Sequence, residues 1–330
     1  MASSNTAADL LSGAAADLGA AGIDSPRREA ELLLAHAAAV PRLRLLTHPE
    51  MPLSRRVAAD YRRLIARRAG HEPYAYIVGH KEFMSLELSI DHNVLVPRPE
   101  SELLCGRALD FLAAEAGSST PPTTDAPPPP ASPTSTTGPR VLDVGTGSGA
   151  LAVAIAHYHP PARVWAIDIS PAAAATARRN VAKFGLGDRV TVTVGDLLAA
   201  PGLPPPGTAD LVVANLPYVP ATVFGQLARG VAVFEPRLAL DGGPDGLAVI
   251  RRLLPQAAEA LRPGGALGLE CDPAQCKLLT ELAGRVGFGR LTVHADLAGR
   301  ARIVWGYKHG DSSGDLAPRP PKPSDRGGPR

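Results

Sequence analysis

The fold of this chain is decided by Val141-Leu142-Asp143-Val144-Gly145-Thr146-Gly147-Ser148-Gly149-Ala150. The first four residues are typical of a buried strand, and alternate glycines then lead into a helical pattern. Glycine tolerates positive φ and has no side chain, so the backbone at such a junction can approach a ligand closely. The stretch predicts the first strand, a ligand-binding loop and the first helix of an α/β domain.

Strand and helix patterns alternate from this point to residue 306. Strands are predicted near 140–144, 163–168, 189–194, 210–214, 265–270, 290–295 and 301–306. Helices are predicted near 148–158, 171–184, 246–261 and 273–286. Alternation of this kind indicates a doubly wound, mainly parallel sheet. Because no helix separates the last two strands, one of them is expected to run antiparallel.

Residues 1–72 predict a small helical bundle, since apolar residues recur there at three- and four-residue spacing. Ser25 and Pro26 are typical of an N-cap and the first helical turn after it. Another helix is predicted from about 54 to 69, with Gly70 as its C′ residue. Its arginines form either a docking surface for an acidic or RNA-bearing partner or a solvated face: Arg55, Arg56, Arg62, Arg63, Arg67 and Arg68.

The rest of the chain divides by composition. Residues 73–96 are expected to form a connecting β-hairpin, because apolar and polar residues alternate there. Residues 97–309 are expected to form the α/β domain. Within it, 118–138 is a Pro-rich insertion, and 310–330 is a tail rich in Gly, Pro and Ser. Both segments are predicted to be disordered.

Composition limits the classes of function. The chain has 330 residues, enough for two domains, and a net charge of +2 that gives no general sign of nucleic-acid binding. Cys105, Cys271 and Cys276 are too few and too irregularly spaced for a disulfide framework or a zinc site. We expect no metal, no membrane-spanning segment and no targeting peptide. A monomer in the cytoplasm is the expected form.

Asn215-Leu216-Pro217-Tyr218 follow the apolar run predicted as the fourth strand. An Asn-x-Pro-Tyr at a strand end can hold a planar NH2 group, with one hydrogen bond to the Asn215 side-chain oxygen and another to the Leu216 carbonyl. Tyr218 would pack on the planar group. Such a nitrogen is a poor nucleophile because its lone pair is delocalised, so a charged methyl donor is the usual partner. The four residues predict methylation of nitrogen.

The glycine-rich loop alone does not identify the cofactor, because it also satisfies the pattern of nicotinamide enzymes. Asp168, at the end of the second predicted strand, would bind ribose hydroxyls of an adenosyl or dinucleotide cofactor, or cap the next helix. Asp196 would lie near the adenine, with Leu197 packing on the ring, or belong to an ordinary turn. Asp143 either contacts the ligand or orients backbone amides. Only the Asn215 motif favours a methyl donor over a nicotinamide.

Together these residues resemble the N5-glutamine methyltransferases that modify peptide chain release factors, from about residue 7 to 307. The most specific element is Pro97-Arg98-Pro99-Glu100-Ser101-Glu102, which is similar to the family's Pro-Arg-Pro-Glu-Thr-Glu. Further matching segments are 142–149, 235–240, 242–247 and 296–300. An ordered set of this kind is much stronger evidence than one glycine loop.

The resemblance implies a Rossmann-like class I S-adenosylmethionine-dependent methyltransferase with a helical N-terminal domain that helps to hold a release factor. It implies S-adenosylmethionine as donor and the glutamine of a Gly-Gly-Gln motif as acceptor. The residues carried over to the cofactor are Gly145, Thr146, Gly147, Ser148, Gly149, Asp168, Leu197 and Asn215. Those carried over to the substrate glutamine, and to catalysis, are Asn215, Leu216, Pro217 and Tyr218.

Two departures from the family pattern stand out. Leu216 replaces the first proline of Asn-Pro-Pro-Tyr, and Cys271-Asp272 replace Ile-Gly after Glu270. Asn-Leu-Pro-Tyr is also the form found in ribosomal RNA adenine dimethyltransferases, so N6-adenine methylation of RNA or DNA is one alternative. Methylation of a ribosomal-protein glutamine is a closer one, because the chemistry is identical. A nicotinamide oxidoreductase and a non-catalytic adaptor that binds the cofactor complete the alternatives.

Overall fold

The structure is a computed structural model that describes residues 6–117 and 138–310. The predictions made for residues 118–137 and 311–330 therefore lie outside the described residues. The described chain contains an N-terminal helical bundle, a two-stranded hairpin and a seven-stranded sheet with helices on both faces.

The bundle consists of α1 (Ala7–Ala20), α2 (Pro26–Ala38), α3 (Arg42–Thr47) and α4 (Arg55–Ala69). Its interior is mainly apolar, and the buried hydroxyl of Tyr61 donates to the carbonyl of Ala30 at 3.1 Å. The side chains that fill this core are Leu11, Leu18, Leu33, Leu34, Leu45 and Tyr61. Burial of these residues provides most of the stability of the bundle, because helices of this length are marginal alone.

The two helix-end predictions in the bundle have different outcomes. Ser25 is the N-cap residue of α2 and Pro26 is its first residue, as predicted, but Ser25 has left-handed backbone angles (φ 50°, ψ 51°) and its side chain makes no capping bond to the described residues. An N-cap needs extended angles to bring its oxygen to the next amides. At the end of α4, Gly70 is the C-cap with φ −74°, and His71 takes the positive φ of 70°. The left-handed position therefore lies one residue later than predicted.

Ion pairs within the N-terminal region distinguish the two interpretations of the α4 arginines, a docking surface or a solvated face. Arg67 pairs with Glu72, Arg68 with Glu29, and Arg63 with Asp60. Arg56, at 92% exposure, lies 3.9 Å from Asp60. These ion pairs tie the helix to its own domain and make a solvated, internally paired face the better interpretation.

A short helix, α5 (Tyr74–Val78), precedes the hairpin β1 (His80–Phe83) and β2 (Leu86–Ser89). The hairpin was predicted, whereas α5 replaces the strand-like pattern expected from Tyr74 onward. The hairpin pairs antiparallel, from His80 opposite Ser89 to Phe83 opposite Leu86. The next helix, α6 (Pro99–Glu115), begins inside the Pro97–Glu102 motif and packs on the large sheet.

The large sheet confirms the predicted alternation. Its strands are β3 (Arg140–Val144), β4 (Arg163–Asp168), β5 (Val190–Val194), β6 (Ala209–Ala214), β7 (Leu261–Glu270), β8 (Phe288–Ala295) and β9 (Ala301–Lys308). Their order is β5-β4-β3-β6-β7-β9-β8, and β9 runs antiparallel to both of its neighbours. The connecting helices are α7 (Ala150–Tyr158), α8 (Pro171–Lys183), α10 (Ala248–Ala260) and α11 (Cys276–Arg285).

The strand order reverses between β3 and β6, which is where open α/β sheets bind ligands. Val144 pairs with Ala214 in the parallel register, so Gly145 and Asn215 leave adjacent strands at the same level. The β6–α10 connection contains 3-10 turns at Ala221–Gln226 and Arg237–Ala239 and the short helix α9 (Arg229–Phe234). The two predicted site segments are thus brought together by the sheet itself.

Candidate active site

A cavity of about 260 Å³ lies at the carboxyl ends of β3, β4 and β6. The predicted residues that line it are Gly145, Thr146, Gly147, Ser148, Asp168, Leu197, Asn215, Leu216 and Pro217. Gly149 and Tyr218, also among the described residues, lie outside its lining. The cavity is also lined by residues just before α6 and in its first turn, Pro97, Arg98 and Ser101.

Two glycines of the loop allow close packing. Gly145 has φ 75°, and a Cβ there would lie 2.8 Å from Leu216 Cδ2. Gly149 has φ 82°, and a Cβ there would lie 3.3 Å from Ala177 on α8. Gly147 differs: it has φ 56°, and an added Cβ would meet open space. Because Gly147 also lines the cavity, its backbone is open to close approach by a ligand there.

Asp143, in β3, holds the glycine-rich loop and the start of α7 by hydrogen bonds. It is 1% exposed, and its Oδ2 accepts hydrogen bonds from Thr146 Oγ1 at 2.6 Å and from the Ala152 amide at 3.1 Å. Burial raises the pKa of this carboxyl to about 7, against the effect of these hydrogen bonds. Of the two roles open to Asp143, these contacts favour orientation of the loop.

Asp168 joins β4 to the glycine loop. Its Oδ2 accepts from the Gly147 amide and its Oδ1 from the Ser170 amide, each at 2.9 Å. Burial raises the pKa of Asp168, and the two amide bonds oppose that rise. A carboxylate has about four acceptor positions, so lone pairs remain on the cavity side for ribose hydroxyls. Both the capping contact and a ligand contact are therefore compatible with the geometry.

Asp196 and Leu197 follow β5 at the cavity wall. Leu197 is buried and has a φ of 53°, unusual for a residue with a branched side chain. Strained backbone of this kind is common at ligand sites. The Asp196 carboxylate lines the cavity and pairs with Arg252 of α10.

The polar groups of Asn215 and Tyr218 converge on one buried carboxylate. Asn215 Nδ2 donates to Ser101 Oγ at 2.9 Å, and Ser101 Oγ donates to Glu270 Oε2 at 2.7 Å. Tyr218 Oη donates to Glu270 Oε1 at 3.3 Å. Glu270 is 1% exposed, and burial raises its pKa to about 7.

The loop that carries Asn215 is also held through its backbone. Gln275 Nε2 donates to the carbonyls of Tyr218, at 2.8 Å, and Asp245, at 3.1 Å. A Cβ at Gly246 would lie 2.2 Å from both Gln275 Nε2 and the Tyr218 oxygen. Gly246 is therefore required by the close approach of these three groups.

Sequence reasoning assigned no role to several residues that shape the site. Ser101 and Arg98 lie in the Pro97–Glu102 motif, which was identified only by its resemblance. Arg98 pairs with buried Glu235 at 2.6 Å, which joins that motif to the segment after α9. The fully buried Asn180 of α8 donates to the Ser148 carbonyl at 2.8 Å. Ser101, Arg98 and Glu235 could have been identified as site residues from the family motifs that contain them. No feature of the sequence pointed to Asn180.

Two family models match the chain: one described as PrmC N-terminal domain over residues 9–79 and one described as Methyltransferase domain over residues 141–233. The release factor glutamine methyltransferase of Moorella thermoacetica is 42% identical over 293 residues, 88% of this chain and 94% of the relative. The chain belongs to the release factor glutamine methyltransferase family. The relative from Rhodopirellula baltica is 40% identical and covers 86% of this chain and 90% of its own, and that from Cereibacter sphaeroides is 38% identical, with 90% and 97% covered.

Membership in the release factor glutamine methyltransferase family makes this protein a class I methyltransferase that uses S-adenosylmethionine, as predicted. The open backbone at Gly147 and the Asp168 carboxylate at the cavity wall fit the adenosyl group of that donor. The nicotinamide oxidoreductase and adaptor alternatives are thereby set aside. Within residues 6–117 and 138–310, no group of three or more His, Cys, Asp or Glu could hold a metal ion, and no helix is long and apolar enough to cross a membrane.

Proposed function

We propose that this protein transfers a methyl group from S-adenosylmethionine to the side-chain amide nitrogen (N5) of the glutamine in the Gly-Gly-Gln motif of peptide chain release factors. The observation that supports the proposal best is the hydrogen bonding of the Asn215 side chain. Its Nδ2 is committed to Ser101, which leaves Oδ1 to accept a hydrogen bond from an incoming NH2 group. Asn215 lines the cavity beside the glycine loop, so an acceptor held there faces the donor site.

The residues proposed to hold S-adenosylmethionine are those of the cavity wall, Gly145, Thr146, Gly147, Ser148, Asp168, Leu197 and Asn215. Gly149 supports them because the lack of a side chain there lets the loop lie close to Ala177 of α8. Bound there, S-adenosylmethionine supplies an electrophilic methyl group on a positively charged sulfur. No described side chain has to act on that methyl group.

The acceptor amide is prepared by directed hydrogen bonds. Its lone pair is strongly conjugated, as the rotation barrier of about 18–20 kcal/mol for an amide shows. Asn215 Oδ1 and the Leu216 carbonyl would each accept one N–H, which holds the nitrogen in place and favours partial localisation of the lone pair. Positioning at near-attack distance supplies much of the remaining acceleration. The methylated nitrogen is acidic and loses its proton to water.

Leu216 is compatible with this role. The proposed contact uses its backbone carbonyl, and its side chain is buried against the Gly145 position. Leucine therefore contributes packing where the family pattern has a proline. Tyr218 directs its hydroxyl to Glu270, and we propose that its ring borders the acceptor amide. Pro217 restricts the backbone between these two residues.

The proposal is tested by mass spectrometry of a release factor incubated with enzyme and S-adenosylmethionine. A gain of one methyl group on the Gly-Gly-Gln peptide is expected. A release factor with that glutamine replaced by alanine is the matched control and should gain none. Ribosomal proteins and ribosomal RNA offered in parallel separate the alternatives: methylation of either one, with an unmodified release factor, would contradict the proposal. We further propose that the enzyme acts as a monomer in the cytoplasm and does not bind nucleic acid directly.

A further inference from the structure

The orientation of the Asn215 side chain is determined by the proton of a single hydroxyl group. A serine hydroxyl has one proton to donate and can accept through its lone pairs. Ser101 Oγ donates this proton to Glu270 Oε2 at 2.7 Å when the Glu270 carboxyl is ionised. Ser101 can then only accept from Asn215, so the NH2 end of the Asn215 amide must face it at 2.9 Å. The oxygen end is left for the acceptor.

Glu270 also accepts a hydrogen bond from Tyr218, the other polar side chain of the Asn215–Tyr218 tetrapeptide. Its Oε1 accepts from Tyr218 Oη at 3.3 Å. The carboxylate is the last residue of β7 and is 1% exposed, so solvent does not compete for it. Glu270, a buried residue of β7, therefore determines how the side chains of both Asn215 and Tyr218 are oriented.

We infer that Glu270 and Ser101 are positioning residues that hold the Asn215 amide with its oxygen toward the acceptor nitrogen. The inference rests on the proposed function, in which Asn215 Oδ1 receives the acceptor N–H. Neither residue has to touch the substrate. Because Ser101 donates to Glu270, its oxygen is left to accept from Asn215. If the Asn215 amide were reversed, its NH2 group would face the NH2 group of the substrate glutamine.

The arrangement requires the ionised form of Glu270. A protonated Glu270 donates to Ser101, which frees the Ser101 proton to point at Asn215 and favours the reversed amide. The groups facing Glu270 are Glu100 and Ser101 of α6, Tyr218, Arg302 of β9 and the adjacent Cys271. Burial is the largest cause of the rise in the pKa of Glu270 to about 7, and Arg302 opposes it. The methyl-transfer rate is expected to rise with pH through about 7.

The test compares kcat, KM for the release factor and S-adenosylmethionine affinity in the full-length enzyme. Ser101→Ala should lower kcat about 10- to 100-fold, the equivalent of a lost hydrogen bond in a charged network, with little change in S-adenosylmethionine affinity. Ser101→Thr keeps the hydroxyl and should restore kcat to within about threefold. Glu270→Gln should lower kcat and abolish the rise of rate near pH 7.

A double-mutant cycle separates positioning from general structural damage. In an Asn215→Ala background, Ser101→Ala should cost nothing further, because its only effect passes through Asn215. Additive losses would overturn the inference, as would a Ser101→Ala enzyme with wild-type kcat or a pH rise that persists in Glu270→Gln. These readouts presuppose a wild-type enzyme that methylates the release factor. If the wild type leaves the release factor unmodified, the proposed function fails instead.

Discussion

Asn180 of α8 donates from Nδ2 to the carbonyl oxygen of Ser148 in the glycine loop at 2.8 Å. The same amide pairs with the backbone of Ser89 in β2, accepting from its N–H at 2.8 Å and donating to its carbonyl at 3.0 Å. Asn180 is fully buried. One side chain therefore connects the hairpin to the loop proposed to hold the cofactor.

Asn180→Ala should destabilise the protein and weaken cofactor binding together. Truncation leaves one buried and two part-buried backbone groups without their partner, and a buried unsatisfied group costs about 1–3 kcal/mol. We expect a loss of about 2–4 kcal/mol in the free energy of unfolding, measured by urea denaturation. Ala175→Gln, a change at an exposed position on the same helix, is the control and should stay within about 0.5 kcal/mol. Equal stability of the two variants would contradict this role.

The fold could be predicted where periodicity extends over several turns or strands. The sheet and its connecting helices agree closely, because each buries a long apolar pattern. Helices α3 and α5 were missed, since six and five residues give too little periodicity to read. Ser25 is the N-cap residue as predicted, but residue type does not reveal the left-handed angles that leave its side chain without a capping bond.

The site could be predicted where its residues are neighbours in sequence. The glycine loop and the Asn215 tetrapeptide each form a contiguous segment with its own chemical logic. Ser101 and Glu270 are separated by 169 residues, and Asn215 and Ser101 by 114. Nothing local in the sequence shows that α6 and β7 bring these groups together. Hydrogen-bond partners of this kind depend on the packing of the whole domain.

Asn215→Ala should nearly abolish methyl transfer while leaving the cofactor bound. Loss of one preorganised polar contact to the reacting group typically costs about 10²- to 10³-fold in kcat. Most of the proposed cofactor contacts come from the glycine loop, Asp168 and Leu197, which the change does not touch. Turnover measured with a release factor and S-adenosylmethionine binding measured by calorimetry test the two parts separately. Parallel losses of both would show that Asn215 serves the cofactor alone.

Asp168→Ala should have the opposite profile, with a large loss of cofactor affinity. Removing the carboxylate takes away the partners of the Gly147 and Ser170 amides as well as the proposed ribose contact. A hydrogen bond to a charged group contributes about 1.5–3 kcal/mol, so affinity should fall about 10- to 100-fold. Calorimetric titration with S-adenosylhomocysteine, the product, measures this without turnover. Asp196→Ala, whose carboxylate pairs with Arg252, is the comparison and should lose less.

Asp143 makes stability depend on pH in a direction that can be tested. Burial raises its pKa from 3.8 to about 7, so between these values the folded protein binds a proton that the unfolded chain has released. The contribution of Asp143 to stability therefore falls as pH rises through this window and is unchanged below it.

The variant Asp143→Asn tests this dependence, because asparagine has the same shape as aspartate and does not titrate. Its free energy of unfolding relative to wild type should rise between pH 4 and 7 and level off above, in urea denaturation at each pH. Glu270 shifts in the same direction but is present in both proteins, so the difference isolates Asp143. A flat or falling difference would mean that Asp143 stays ionised in the folded state and that the bonds from Thr146 and Ala152 outweigh its burial.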